Sequence, residues 1–277
     1  MLVKAFDRTA TGSRLRWFAP FRASTVTLAI LTVTIPLARA VDAAPRPTTT
    51  TAPSSIVIGF VGGFVGHDNP RHGPVQLAQR IQRTVPKDTY VRVFENRRRK
   101  RAYDAILRLL DTDHDGNLSA DEKARARIIL FGHSWGAAAA VLLARDLRRQ
   151  GVPVLLTVQV DSVAKAWQTD AIIPDNVAEA VNFYQPHGIL HGQPQITAAD
   201  PAKTEILGNY RLDYKKDPVA CTDVPRLGRV FASGHLQSEC DPRVWSQIET
   251  MVRQRLSSAE TSASTPAVVS TAVQSQP

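Results

Sequence analysis

Five short runs rich in β-branched and aromatic residues set the terms for any fold this chain can adopt. They are SIVIGFV (55–61), TYVRVFE (89–95), RIILFG (127–132), PVLLTVQV (153–160) and EAVNFY (179–184). Four of them are nearly continuous apolar, the pattern of strands buried on both faces of a parallel sheet. Helical patterns separate them at 74–85, 100–110 and 135–149, and a last amphipathic helix at about 242–256 follows Asp241-Pro242. Strand and helix in alternation predict an α/β fold: a doubly wound, mainly parallel sheet with ligands bound beyond the carboxyl ends of the strands. No internal repeat is present.

The ends of the chain differ in kind from this middle. Residues 1–22 carry Lys4, Arg8, Arg14, Arg16 and Arg22 against Asp7; then come the uncharged ASTVTLAILTVTIPLA and the small-residue site LARAVDAAP. Basic region, apolar run and Ala-x-Ala form an export-signal pattern over residues 1–40, with cleavage after Ala40, or after Ala43 or Ala44. The alternative is an uncleaved membrane anchor, for which the run is short and interrupted by Pro36. A Pro/Thr linker (41–54) and a Ser/Ala/Thr/Val tail (257–277) are expected to be disordered. One domain remains, residues 55–256. Without residues 1–40 the charge is 28 basic against 24 acidic, or +4, which gives no case for nucleic acid. The run RRRKR (97–101) reads as the start of a solvated helix face. Cys221 and Cys240, nineteen apart, are expected to pair in an exported chain, which would stabilise by roughly 3 kcal/mol on the chain-entropy model. Two free thiols are the alternative if the chain is not exported.

One run does more than fold. RIILFG leads directly into Gly132-His133-Ser134-Trp135-Gly136 and an Ala-rich helix. This is G-x-S-x-G in its informative context of strand, sharp turn and helix. The glycines are needed because a side chain two residues from the strained serine would strike the neighbouring strand or helix. The Trp135 N–H, at the start of the helix, is set to hold an oxyanion.

On these residues the chain resembles the α/β-hydrolase superfamily, over about residues 55–256. The resemblance implies a three-layer sandwich and a triad in the order serine, acid, histidine. It also implies a histidine in a late loop, which selects His235 in SGHLQSEC; His187 and His191, in QPHGILHGQPQ, are expected to line the substrate cleft. His67 and His72 precede the turn, His114 lies in an acidic loop, and the turn is expected to aim the His133 ring away. Asp161, directly after VLLTVQV, is the acid candidate, with Asp200 and Asp213 behind it. Many members of the superfamily place the acid one strand later, but EAVNFYQP ends without a carboxylate. An N-cap role is the alternative for Asp161. The second oxyanion donor is expected from Gly63 or Phe64, in the Gly-rich loop after the first strand. That loop lacks G-x-G-x-x-G and G-K-[ST], so nucleotide binding is not indicated.

A second motif lies just ahead of the catalytic strand. Residues 111–122, DTDHDGNLSADE, match a twelve-residue EF-hand loop: Asp111, Asp113 and Asp115 at positions 1, 3 and 5, Gly116 at 6, Asn117 at 7, Ser119 at 9 and Glu122 at 12. The alternative is an acidic turn that binds no metal. The loop precedes the strand and the serine follows it, so about six residues at roughly 3.3 Å put an ion about 20 Å from the hydroxyl. Such a Ca2+ would be structural. With one loop and two methionines, a sensor is not expected.

The expected function is therefore a secreted serine hydrolase, periplasmic or extracellular. It would cleave a small-molecule or lipid-like carboxylic ester or thioester through an acyl-enzyme. No long apolar lid helix stands out between Gln185 and Ala220, which favours an esterase over a lipase. The competing expectation is a non-catalytic calcium-binding protein on the same scaffold.

Overall fold

The structure, a computed structural model, describes residues 52–221 and 233–263. The export signal and nearly all of the linker fall outside the described residues, as does the tail beyond 263. In chain order the elements are β1 (Ser55–Val61), α1 (Gly73–Gln82), β2 (Thr89–Glu95), a 3-10 turn (Asn96–Arg98), α2 (Arg99–Leu110), α3 (Ala120–Ala124), β3 (Ile128–His133), α4 (Trp135–Arg149) and β4 (Val154–Val160). Then follow β5 (Ile172–Ile173), β6 (Val177–Tyr184), β7 (Thr197–Ala198), β8 (Glu205–Arg211), α5 (Ser233–Cys240) and α6 (Pro242–Ala263).

Six strands form one all-parallel sheet in the order β2-β1-β3-β4-β6-β8, while β5 and β7 pair apart from it. Period-two alternation divides each central strand between two cores. From β1, Ile56, Ile58 and Phe60 join Ala102 and Ile106 of α2 and Ala140, Leu143 and Leu147 of α4. Val57 and Val61 point the other way, against Leu77 and Ile81 of α1 and Val244, Trp245, Ile248 and Val252 of α6. The architecture is thus a three-layer α/β sandwich. Full burial of each Ile or Leu side chain contributes on the order of 2 kcal/mol. β1 and β3, buried along their whole length, are the most strongly specified strands.

Besides the two-residue strands β5 and β7, three elements depart from the sequence expectation. β8 has no continuous apolar run because it is an edge strand, half-exposed and interrupted by Gly208. His235 does not sit in a loop but in the first turn of α5. α6 runs on to Ala263, so residues 257–263 of the expected disordered tail are helical. Nothing between Leu256 and Pro266 breaks a helix: Ser, Ala, Glu and Thr propagate a turn already nucleated by packing.

Candidate active site

The carboxyl ends of β1, β3, β4 and β6 converge on one rim of the sheet. At the end of β3, Ser134 adopts φ 56° and ψ −128°, a region that non-glycine residues rarely occupy. The turn is held by a bond from the Ser134 N–H to the Val160 carbonyl at 3.0 Å. Its two glycines are dictated by space. A Cβ on Gly132 would collide with the Gly136 backbone, and one on Gly136 with the Phe60 carbonyl. The expected steric reason for the G-x-S-x-G pattern is thus present at both positions.

Asp161 follows β4 and is fully buried. It also has positive φ, 43°, a region non-glycine residues rarely occupy. Four donors surround its carboxylate. His235 Nδ1 lies 2.6 Å from Oδ2, Gln185 Nε2 donates to Oδ2 at 2.9 Å, and the N–H groups of Gln185 and Gly192 donate to Oδ1 at 3.2 and 2.6 Å. Burial alone would raise the Asp161 pKa, but the bonds from His235 and Gln185 and the charge of His235 hold it below the ordinary aspartate value. Gln185 stands at the end of β6, the position where no carboxylate was found in the sequence. Its amide instead donates to the Asp161 carboxylate and to the Leu190 carbonyl.

His235 is buried. Its ring packs against that of His133, with centroids 4.6 Å apart. His133, the residue before the serine, turns its ring toward α5. Its Nε2 lies 3.2 Å from both the His235 carbonyl and Ser238 Oγ. Burial pushes the His133 pKa down to about 4, so the ring is neutral at neutral pH. His72 and Glu239, which sequence reasoning missed as a pair, are 2.6 Å apart although 167 residues separate them.

The remaining histidines and reserve acids occupy other places. His187 Nε2 is 3.2 Å from Asp213 Oδ1, while Asp200 accepts from the Ala202 N–H in a turn. His191 Nδ1 lies beside the Gly192 carbonyl. His187, with Gly188, Tyr214 and Gly234, lines a hollow of about 170 Å³ next to α5. In the loop after β1, Asn96 Nδ2 donates to the carbonyls of Val61 and Gly63 at 3.3 and 2.6 Å, fixing the segment that holds Gly63 and Phe64. Gly63 has φ 47°. Phe64 is exposed and meets the Trp135 ring edge-on at 5.5 Å, and Lys165 Nζ stands 4.9 Å over the same ring. The N–H of Trp135 lies in the first turn of α4, where amides have no partner within the helix.

The acidic loop is at the opposite end of β3. Carboxylate oxygens of Asp111, Asp113 and Asp115 lie within 4.8 Å of one another. The loop is wound by the Gly116 N–H to Asp111 Oδ2 (3.1 Å), Asp115 N–H to Asp113 Oδ1 (3.2 Å) and Asn117 N–H to Asp115 Oδ1 (2.7 Å). Gly116 takes φ 84°, the left-handed turn expected at position 6. Asp111 Oδ1 is buried without a hydrogen-bond partner. Glu122, however, already uses both oxygens: Oε1 accepts from the Thr112 N–H and hydroxyl, and Oε2 from the Ser119 N–H and hydroxyl. Ser119 and Glu122 thereby form a reciprocal cap on α3. These bonds, led by that from the Ser119 backbone, hold the Glu122 pKa down to about 2.

A disulfide joins Cys221 to Cys240, with Cα atoms 5.9 Å apart, and anchors the last residue of α5. Among the described residues no helix is long and apolar enough to cross a membrane.

No family model matches the chain, and no curated protein matches it. Among solved structures it is similar to the RedJ thioesterase from the prodiginine biosynthetic pathway in Streptomyces coelicolor, at 13% identity over 74% of this chain and 96% of that one, with a TM-score of 0.40. It is similar also to an arylesterase, at 11% identity over 75% and 77%, TM-score 0.40. A third is a cutinase-like protein from Cryptococcus sp., at 14% identity over 76% and 98%, TM-score 0.37. At these scores the functional conclusion has to come from the chain's own geometry.

Proposed function

We propose that the protein is a serine hydrolase that cleaves a carboxylic ester or thioester through an acyl-enzyme on Ser134. The observation that carries this reading is the buried Asp161–His235 pair, 2.6 Å apart, on the same rim of the sheet as a serine in the strained conformation of a glycine-bounded turn, whose N–H bonds to the carbonyl of Val160, the residue before Asp161. A buried, directed carboxylate–imidazole pair is costly to build and has one well-understood use next to a serine hydroxyl. Asp161 accepts the Nδ1–H of His235, which leaves Nε2 as the base. Nε2 takes the Ser134 proton as Oγ bonds to the substrate carbonyl carbon. The resulting oxyanion is held by the Trp135 N–H and by that of Gly63 or Phe64. The imidazolium then returns the proton to the departing alcohol or thiol, and water, deprotonated by the same imidazole, releases the acid and regenerates the serine. Phe64 and Trp135 supply an apolar rest for the acyl or alcohol portion, in keeping with a small-molecule or lipid-like ester.

The acidic loop is read as a structural Ca2+ site held by Asp111, Asp113 and Asp115, the Asn117 carbonyl, Ser119 and Glu122. The orphaned Asp111 Oδ1 supports this, since a buried carboxylate oxygen without a donor calls for a cation. Glu122 would contribute by giving up part of its cap to Thr112 and Ser119. A bound ion would neutralise the loop's crowded carboxylates and brace the connection into β3. The N-terminal signal pattern and the disulfide support an exported protein.

A fluorophosphonate probe, followed by chromogenic esters of increasing chain length, tests the proposal. The intact protein should be labelled and should turn over short esters, and Ser134→Ala should do neither. Absence of labelling in the folded wild-type protein would leave only the non-catalytic calcium-binding reading.

A further inference from the structure

α5 carries more than the base. His235, Ser238 and Glu239 are three and four residues apart and so share one face of the helix, turned toward the end of β3. Glu239 Oε1 is 2.6 Å from His72 Nδ1 and 3.7 Å from His133 Nδ1. Ser238 Oγ donates to the His235 carbonyl at 2.8 Å and meets His133 Nε2 from the other side. One carboxylate therefore touches two imidazoles, one on the residue preceding the nucleophile and one on the N-cap of α1. That N-cap ends the loop that begins at Gly62 and contains Gly63 and Phe64. Nothing in the packing of a sheet asks for an ion here. With its side chain 13% exposed, Glu239 would be destabilising unless paired.

We propose that Glu239 is a positioning residue for the base: with His72 and His133 it ties α5 to the nucleophile turn and the oxyanion loop, and its charge supports the His235 imidazolium. This rests on reading His235 as the base of Ser134. His133 is the neutral spacer through which the charge acts. Burial would raise the Glu239 pKa, but charge on His133 and the bond from His72 hold it below the ordinary glutamate value, and with His133 neutral the His72 bond is the contact that remains. The charged and titratable groups around His235 are Asp161 from the end of β4, His133 from β3 and Glu239 from its own helix, with His72 opposing Glu239 from the start of α1. Nearby, Tyr214 and Asp241 are bonded to each other at 3.1 Å. When the serine gives up its proton, the new positive charge lies between two carboxylates, Asp161 in contact and Glu239 beyond the His133 ring.

The test titrates the His235 ring by NMR in Ser134→Ala protein, with and without Glu239→Gln. With one imidazole between them and His72 partly offsetting the charge, losing the carboxylate should lower the His235 midpoint by about one pH unit, the order expected of a charge pair at an effective dielectric constant of about 20. In the Ser134 enzyme the acid limb of kcat/KM should fall by the same amount, with kcat reduced about tenfold and KM little changed. Equal midpoints in the two folded proteins would overturn the proposal, even if activity fell, because that is the result of a purely structural role. If Glu239→Gln does not fold, Glu239→Asp decides. It keeps the charge but withdraws from His72, so kcat should drop at least about threefold at a nearly constant midpoint, and an unchanged kcat overturns the proposal. The titration needs no turnover. If Ser134→Ala turns out not to abolish hydrolysis, the proposed function fails while the Glu239–His235 coupling is still measured.

Discussion

The two ends of β3 are built on opposite principles. At the carboxyl end the carboxylates near His235 are buried or nearly so and supplied with partners by the protein itself: Asp161 has four donors, and Glu239 has two imidazoles. At the amino end Asp113 and Asp115 are exposed, and the buried Asp111 Oδ1 has no partner. A site complete in itself is ready to act on a visitor without rearranging, which is what transition-state stabilisation requires. A site left electrostatically incomplete is suited to being filled. The contrast teaches that proximity in sequence is no guide to shared chemistry, since one short strand separates the two.

Removing Ser134 tests the contrast most severely. Ser134→Ala should lower kcat by about 10⁶-fold and leave the melting temperature unchanged or raised, as the strained φ of 56° is relieved only in part. Asp161→Asn should reduce kcat by about 10⁴-fold, because an amide favours the wrong His235 tautomer. An Asp161→Asn enzyme within tenfold of wild type would mean that the carboxyl end is not the catalytic one.

Acid should damage the same end. His133 is buried with its pKa pushed down to about 4 from 6.5. A group whose pKa is depressed by folding is protonated more readily in the unfolded chain, so its contribution is intact above pH 6.5 and is lost as pH falls toward 4. The loss is about 3 kcal/mol from this ring alone. His133→Asn should flatten the slope of denaturant-derived stability between those pH values; an equal slope in both proteins would reject the assignment.

Calcium should act only at the other end. At a hundredfold excess over Kd, Ca2+ would stabilise by about 2.7 kcal/mol, so chelation should lower the melting temperature by about 5–10 °C. Hydrolysis at temperatures where the apo protein stays folded should be unchanged. Loss of turnover without loss of folding would mean that the ends are coupled.

Much of this was readable in the residues. β1, β3 and β4 announce themselves because a strand buried on both faces can hold only apolar side chains. The Ser134 turn does so because Gly132 and Gly136 are demanded by contact with backbone. That Asp161 closes a strand at the rim of the sheet was legible from the sequence. What escaped is non-local or marginal. β8 lies at an edge and has no solid apolar run. The first turn of α5 contains Gly234, and its eight residues have little amphipathic pattern. The four-residue interval from His235 to Glu239 could have been noticed once a helix was assigned there. No local pattern, however, could have joined His72 to Glu239, or Gln185 and Gly192 to Asp161. Those bonds exist only after the chain has closed on itself.

The position of His235 on α5 has a temporal corollary. A ribosome releases Ser134 and Asp161 well before residue 235 exists. At about 5–20 residues per second, the hundred-odd residues between nucleophile and base take roughly 5–20 s to make. Throughout that interval, on the proposed mechanism, the hydroxyl has nothing to deprotonate it. On that mechanism the unfinished polypeptide is chemically silent, and a fragment that stops short of α5 should stay so.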